Sequence, residues 1–179
     1  MSSRARWWLI GLLAVGTLSL IAHVAARGSE PVPQPRLATE PHANSRARYS
    51  FSFPPRWRLA ERGSVTRVVS PEKEASVSFG LGGRGDLEMV ATRFVGELED
   101  TYRRVSLTGV QLTLMDGEPA VSFTGTAVTR KGVPIRFQAI SVAGPERNYS
   151  VAVFVAADAT PTRVLPPIQE ILDSFRITG

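Results

Sequence analysis

The spacing of apolar residues changes along this chain, and the change limits the folds that it can adopt. From Tyr49 to residue 83, apolar and polar residues alternate in short runs, which predicts β-strands. From Leu87 to Tyr102 the apolar residues recur every three or four positions, which predicts an amphipathic helix that Asp86 caps. Further strand patterns follow, and then a second helical stripe formed by Val164, Ile168, Ile171, Leu172 and Phe175. We therefore predict an α+β fold, an antiparallel sheet of about seven or eight strands with helices packed on it.

Two of the later strand patterns differ in kind. The segment 149–157 is apolar at nearly every position, which predicts a central strand covered on both faces. In the segment 110–115, Val110, Leu112 and Leu114 alternate with polar residues, which is the pattern of a half-buried strand. The Asp-Gly pair that follows at 116–117 predicts a tight hairpin into the next strand.

The N-terminus carries an apolar segment, which we expect to form a helix ahead of the sheet domain. Residues 7–26 contain no charged side chain apart from a possible charge at His23, and about 20 such residues can span a bilayer. Arg4 and Arg6 precede the segment, so the positive-inside rule leaves the rest of the chain outside the cytoplasm. Residues 1–27 are thus a membrane anchor or a signal peptide cleaved near Ala26. The domain would be anchored to the inner membrane if uncleaved, and periplasmic or secreted if cleaved.

A proline-rich segment separates this apolar stretch from the domain. Residues 28–46 hold four prolines and few large apolar residues, which predicts an extended linker, and residues 47–179 are then a single domain. Most of the excess positive charge precedes the domain: from Tyr49 onward the chain has 15 basic and 14 acidic residues. A nucleic-acid-binding domain would concentrate basic residues in its folded part, so we predict no nucleic-acid partner.

The composition argues against an enzyme. The chain has no cysteine, and its two histidines, His23 and His42, both precede residue 47. A domain with these bounds has no His or Cys with which to build a Ser-His-Asp or Cys-His pair or an ordinary zinc site. We therefore predict no catalytic residues, no metal and no cofactor.

One group of residues is a candidate for partner binding. Arg56, Trp57 and Arg58 lie together at the start of a predicted strand, and arginine beside an aromatic ring suits anionic or planar partners. The same pattern also fits a buried tryptophan flanked by arginines on a solvated sheet face. Both interpretations stay open at this level.

Three segments resemble the PsbP-like families. These are FSFPPRWRL at 51–59, DGEPAVSFTGTAV at 116–128 and IQEILDSFRI at 168–177. They are similar to the opening aromatic strand, the central hairpin and the closing helix of that fold, and the likeness is nearest to bacterial DcrB-like envelope proteins. The resemblance implies an antiparallel sheet sandwiched by helices, and it says little about activity.

Two functions are compatible with these observations. The first is a non-catalytic, exported envelope domain that binds a protein partner or stabilises an assembly at the membrane surface. The alternative is a carrier of a small apolar ligand or lipid, which requires a cavity between the sheet and a helix. The size of any such cavity distinguishes the two.

Overall fold

A computed structural model of the chain describes residues 38–178. In chain order, these residues form strands β1 (Glu40–Asn44), β2 (Tyr49–Phe53), β3 (Arg58–Arg62), β4 (Val65–Val69) and β5 (Ala75–Gly83), helix α1 (Leu87–Thr101), strands β6 (Arg103–Met115), β7 (Glu118–Val128), β8 (Pro134–Val142) and β9 (Asn148–Ala156), helix α2 (Pro161–Asp173) and strand β10 (Arg176–Ile177).

The strands form two antiparallel sheets. The large sheet has seven strands in the order β3-β4-β5-β9-β8-β7-β6, and the small sheet has three in the order β1-β2-β10. The predicted α+β fold with a large antiparallel sheet and packed helices is confirmed. Strand β9 lies in the middle of the large sheet and is mostly buried, as its continuous apolar pattern predicted.

The main core lies on one face of the large sheet, under the small sheet and α2. Phe79 of β5 is stacked between Phe51 of β2 and Phe175 after α2, with ring centroids 4.3 and 5.3 Å apart. Alternate residues of β2 point into this core because side chains alternate along a strand. These contacts attach the small sheet and α2 to the large sheet.

Helix α1 covers the opposite face of the large sheet, over β6, β7 and β8. Its Asp86 side chain accepts a hydrogen bond from the backbone N–H of Met89 at 2.7 Å, which confirms the predicted cap. Leu98 and Phe94 pack on Phe123 and Phe137 of the sheet. Tyr102, predicted as part of the helical stripe, instead caps the C-terminus of α1 in an extended conformation and packs on Phe154.

Helix α2 starts earlier than its apolar stripe suggested. It begins at Pro161, so Pro166 and Pro167 lie inside the helix rather than in its first turn. Pro166 is exposed and Pro167 is half-buried, while Val164 and Ile168 are buried against the core. The carbonyl groups that lose their helical partners to these prolines can therefore be hydrated, and the helix is retained.

The folded unit begins before residue 47. Residues 40–44, which the proline content assigned to the linker, form β1 and pair with β2. Pro41 is tolerated because β1 is an edge strand with one unpaired side. As a result His42 belongs to the folded domain, so the expectation that the domain contains no histidine is wrong.

The other N-terminal predictions fall outside the structural description. The apolar segment 7–26, with its choice between anchor and signal peptide, and the linker up to residue 37 all lie before the first described residue. Within residues 38–178, no helix has both the length and the apolar content needed to cross a bilayer.

Candidate interaction surface

Strand β6 forms one outer edge of the large sheet and is its longest strand. Among the described residues 38–178, it pairs with β7 on one side only, in a hairpin whose two-residue turn is Asp116–Gly117. Both turn residues have positive φ, 56° and 80°, which is the type I′ geometry that Asp-Gly favours. The turn is fixed from outside as well, because the Asp116 carboxylate accepts a hydrogen bond from the Ile177 N–H at 2.7 Å. The predicted hairpin is confirmed.

Four large apolar side chains of β6 are exposed to solvent, and three of them lie between Gly109 and Met115. Val110, Leu112 and Leu114 have 63%, 82% and 68% of their surface exposed. They occupy alternate positions, so they point to the same face of the strand, and we call them the β6 apolar row. The alternation in the sequence predicted that this apolar face is buried, and that prediction is wrong. The structure places it on the face that α1 covers elsewhere, but beyond the helix.

The backbone of the same three residues is also unpaired on its outer side. Met115 and Glu118 close the two-residue turn, so they form a hydrogen-bonded pair. Because hydrogen-bonded and non-hydrogen-bonded pairs alternate along an antiparallel ladder, Leu114, Leu112 and Val110 direct their N–H and C=O groups away from β7. The residues with exposed apolar side chains therefore also carry the free hydrogen-bonding groups of the edge.

No charged residue interrupts this part of the edge. Residues 105–115 contain no Asp, Glu, Lys or Arg, and they contain no proline. Edge strands usually carry charges, prolines or sharp irregularities that discourage pairing with another strand. Strand β6 has irregular register on both sides of Ser106–Leu107, but it runs in regular register from Gly109 to Met115. These seven residues can accept another strand.

The predicted arginine and tryptophan group is not assembled as a surface patch. Trp57 is only 7% exposed and lies in the main core. Its backbone N–H donates to the Pro54 carbonyl at 2.9 Å, which closes a turn, while Arg56 in that turn and Arg58 at the start of β3 are exposed. Both arginines are therefore exposed, but the indole ring does not join them in a common surface. A role for them in partner binding stays a prediction.

His42 is not arranged for catalysis. Its ring packs on Phe51 with centroids 5.4 Å apart, and its Nε2 lies 2.9 Å from a carboxylate oxygen of Glu61 without the alignment of a hydrogen bond. In the part of the chain that the structure describes, no three His, Asp or Glu side chains cluster closely enough to hold a metal ion.

A buried polar network connects the two sheets at the other side of the molecule. The Tyr49 hydroxyl lies 2.9 Å from the Thr66 hydroxyl, and the Asn44 side-chain amide donates to the same oxygen at 3.2 Å and to the Gly63 carbonyl at 3.1 Å. Burial raises the pKa of Tyr49, because the charged phenolate would lose its hydration. This network holds the small sheet on the β3–β4 hairpin, and sequence inspection did not predict it.

A small cavity lies between α1 and the large sheet. It measures about 170 Å³ and is lined by glycines, Ser150, Leu81, Val90 and Phe94, with Arg93 and Glu97 beside them. Sites for drug-sized ligands are typically about 300–1,000 Å³ and mostly apolar. This cavity is too small and too polar to enclose a lipid chain.

The fold is shared with solved structures of low sequence identity. The solution structure of cyanobacterial PsbP (CyanoP) from Synechocystis sp. PCC 6803 aligns with a TM-score of 0.58 and 13% identity, over 85% of this chain and 98% of that chain. The Ran-binding protein Mog1p of Saccharomyces cerevisiae aligns with a TM-score of 0.57 and 10% identity, over 80% and 97%. A Pseudomonas aeruginosa protein of unknown function aligns with a TM-score of 0.51 and 14% identity, over 75% and 94%.

These similarities establish the fold and not a shared activity. The chain has the PsbP-like fold, as the three sequence segments indicated. No protein-family model matches the sequence, and no curated protein matches it. The likeness to DcrB-like proteins in particular stays a prediction.

Proposed function

We propose that this protein is a non-catalytic domain of the cell envelope that binds a protein partner along the open edge of β6. The observation that carries the proposal is the coincidence, at Val110, Leu112 and Leu114, of exposed apolar side chains and outward-directed backbone groups. A strand added to an edge gains affinity from backbone hydrogen bonds and specificity from alternate side chains. The β6 edge offers both on the same residues.

The chemistry of this edge favours a polypeptide over other ligands. A row of backbone N–H and C=O groups about 4.8 Å from an incoming strand matches another backbone, and no sugar, nucleotide or lipid presents that pattern. The apolar row would bury part of its surface against side chains of the added strand. One neighbour of the same fold, Mog1p, is described as a Ran-binding protein, so the fold is compatible with binding another protein.

The location in the envelope rests on the N-terminal sequence. Arg4 and Arg6 followed by the apolar residues 7–26 are typical of an export signal, whether it is retained as an inner-membrane anchor or cleaved near Ala26. A reporter enzyme that is active only outside the cytoplasm, fused after Gly179, is expected to be active. An inactive fusion that is expressed at a normal level would contradict export.

The cavity between α1 and the sheet in the described residues does not support the lipid-carrier alternative. A carrier needs an apolar cavity between sheet and helix, and the space beneath α1 holds about 170 Å³ with charged residues beside it.

Non-catalytic function is supported by the position of His42, whose ring packs on Phe51 and faces Glu61 rather than a nucleophile.

Site-specific photo-crosslinking in the full-length protein tests the binding edge. A photoreactive amino acid in place of Leu112 is expected to form a covalent adduct with a polypeptide in cells. The same amino acid in place of Ala60 is the control, since Ala60 is exposed on β3, the opposite edge of the same sheet. Absence of an adduct at Leu112, or equal yields at both positions, would contradict strand addition at β6.

A further inference from the structure

We infer that the strand received by β6 is β6 of a second copy of this chain, so that the protein is a two-fold symmetric dimer with a continuous sheet. The inference rests on the proposed function, because it names the partner of the same edge. Three features of β6 support it. The apolar row is complementary to the apolar row of an antiparallel second copy, and the outward backbone groups of the two copies can pair with each other. The two ends of the strand also carry opposite charges.

The apolar row is complementary to itself when two copies meet antiparallel. With a two-fold axis at Leu112, this residue faces Leu112 of the second copy, and Val110 faces Leu114 of the second copy. On the other face of the strands, Gln111 faces Thr113 of the second copy. Each apolar side chain thus meets an apolar one and each polar side chain meets a polar one. The whole regular segment Gly109–Met115 can pair in this register without placing one charge against another.

The free backbone groups are in the correct phase for the same register. Val110, Leu112 and Leu114 are the residues whose N–H and C=O groups point outward, and the symmetric register pairs these three only with one another. Each such pair exchanges two hydrogen bonds, so the dimer would gain about six backbone hydrogen bonds. A shift by one residue would oppose outward-directed groups to inward-directed ones and lose them.

The ends of β6 have opposite charge. Arg103 and Arg104 begin the strand, and Asp116 and Glu118 lie at the turn that follows it. In the proposed antiparallel register, Thr108 faces Asp116 of the second copy, so the basic end of one copy lies roughly four residues, or about 13 Å, from the acidic turn of the other, whereas a parallel pair would bring like charges together. The charges therefore favour the antiparallel arrangement and limit the paired segment to the uncharged residues between them.

The described part of the chain leaves space for this dimer. Strand β6 is the last strand of its sheet, and the β6 apolar row lies beyond the end of the surface that α1 covers. A two-fold axis perpendicular to the sheet keeps both α1 helices on the same face. Because the contact is isologous, it uses β6 of both copies and closes, so it yields a dimer rather than a fibre.

Engineered cysteines can test the register, since the chain contains no cysteine of its own. Two differently tagged copies of the full-length chain are co-expressed and treated with a membrane-permeant oxidant in intact cells. Leu112→Cys in both copies places two thiols in a hydrogen-bonded pair with Cα atoms about 5.5 Å apart, within the range for a disulfide. We expect a disulfide-linked species that carries both tags.

Matched variants separate the predicted register from chance contact. Val110→Cys in both copies places the thiols four residues out of register, about 13 Å apart, so no disulfide is expected. Val110→Cys in one copy with Leu114→Cys in the other restores the pair, and a disulfide carrying both tags is expected again. Ala60→Cys in both copies, on the opposite edge, is expected to stay unlinked.

The remaining outcomes overturn the inference and are distinguishable from failure of the proposed function. Efficient linkage of Val110→Cys with itself, or of Ala60→Cys, would contradict the two-fold register at β6. If neither Leu112→Cys nor the mixed pair forms a disulfide, the dimer is wrong. In that case, a photo-adduct from position 112 to a different polypeptide would retain strand addition as the function, and no adduct would refute both.

Discussion

The two outer edges of the large sheet, β3 and β6, are built in opposite ways. Strand β3 has five residues, and three of them are charged: Arg58, Glu61 and Arg62. Strand β6 has thirteen residues, and from 105 to 115 none is charged. Both edges expose unpaired backbone groups, so the charges on β3 discourage pairing where β6 has nothing equivalent. This contrast is the reason that we propose β6, and not β3, as the pairing edge.

The edges also differ in how they are attached to the molecule. Strand β3 directly follows the buried Trp57, and its Glu61 side chain lies next to His42 of β1. The turn after β3 is held by the hydrogen bond from the Asn44 side chain. Among the described elements, β6 has its extensive contacts with β7 and α1. Substitutions near β3 are therefore expected to act on stability, and substitutions in the β6 apolar row on association.

The largest effect on stability is expected at Trp57, beside the protected edge. Trp57→Ala removes a buried indole from the main core and should lower the free energy of unfolding by about 3–5 kcal/mol. Leu112→Ala, which removes an exposed side chain of β6, should change it by about 0.5 kcal/mol or less when the chain is monomeric. Denaturant unfolding of both variants measures the difference. Equal losses would contradict the contrast between the edges.

A smaller loss is expected when the network behind the β3–β4 turn is broken. Asn44→Ala removes the amide that donates to the Gly63 carbonyl and the side-chain oxygen that accepts from the Ala47 N–H at 2.9 Å. Leaving buried polar groups unpaired costs about 1–3 kcal/mol. Ser45→Ala, at the exposed neighbouring position, is the matched control and should be close to neutral. An unchanged Asn44→Ala variant would show that the network does not hold this edge.

The attachment of β6 can be weakened at one glycine of β7. A Cβ on Gly125 would lie 2.4 Å from the Ser106 carbonyl oxygen and 2.6 Å from the Phe137 ring, so Gly125→Ala forces β6 and β7 apart. We expect a loss of about 1–3 kcal/mol in thermal or denaturant unfolding. The control is Gly96→Ala in α1, where a Cβ meets nothing within 4 Å and alanine should stabilise the helix by up to about 1 kcal/mol.

The smallest effect is expected from the two exposed arginines near β3. Arg56→Gln combined with Arg58→Gln should change stability by a few tenths of a kcal/mol, as surface substitutions usually do. It should also leave the adduct at position 112 unchanged, because these side chains belong to the protected edge. Loss of the adduct with intact stability would transfer the binding site to the arginines.

The parts of the fold that short-range interactions determine could be predicted from the sequence. The start of α1 at Asp86 and the hairpin at Asp116–Gly117 depend on a side chain and a backbone conformation that one short segment provides. The central position of β9 followed from a run that is apolar on both faces. In each case the physical cause lies within a few neighbouring residues.

Features that depend on contacts between distant segments could not be predicted from the sequence. Strand β1 lies in proline-rich sequence and is held by β2, while the contact of Asn44 with Thr66 joins residues 22 positions apart. The exposure of the β6 apolar row belongs to the same class. Alternation shows that Leu112 and its neighbours share one apolar face, but only the packing of α1 decides whether that face is covered.

Amide hydrogen exchange in the full-length protein compares the two edges most directly. The outward N–H groups of Val110, Leu112 and Leu114 on β6 are compared with those of Leu59 and Glu61 on β3. The latter two point outward because Arg62 and Val65 close the two-residue β3–β4 turn as a hydrogen-bonded pair, and the pair types alternate from there. If β6 pairs with a second copy, its three amides exchange about tenfold or more slowly than those of β3, and Leu112→Lys returns them to rapid exchange. Rapid exchange of all five amides in the unmodified protein would contradict a paired β6 edge.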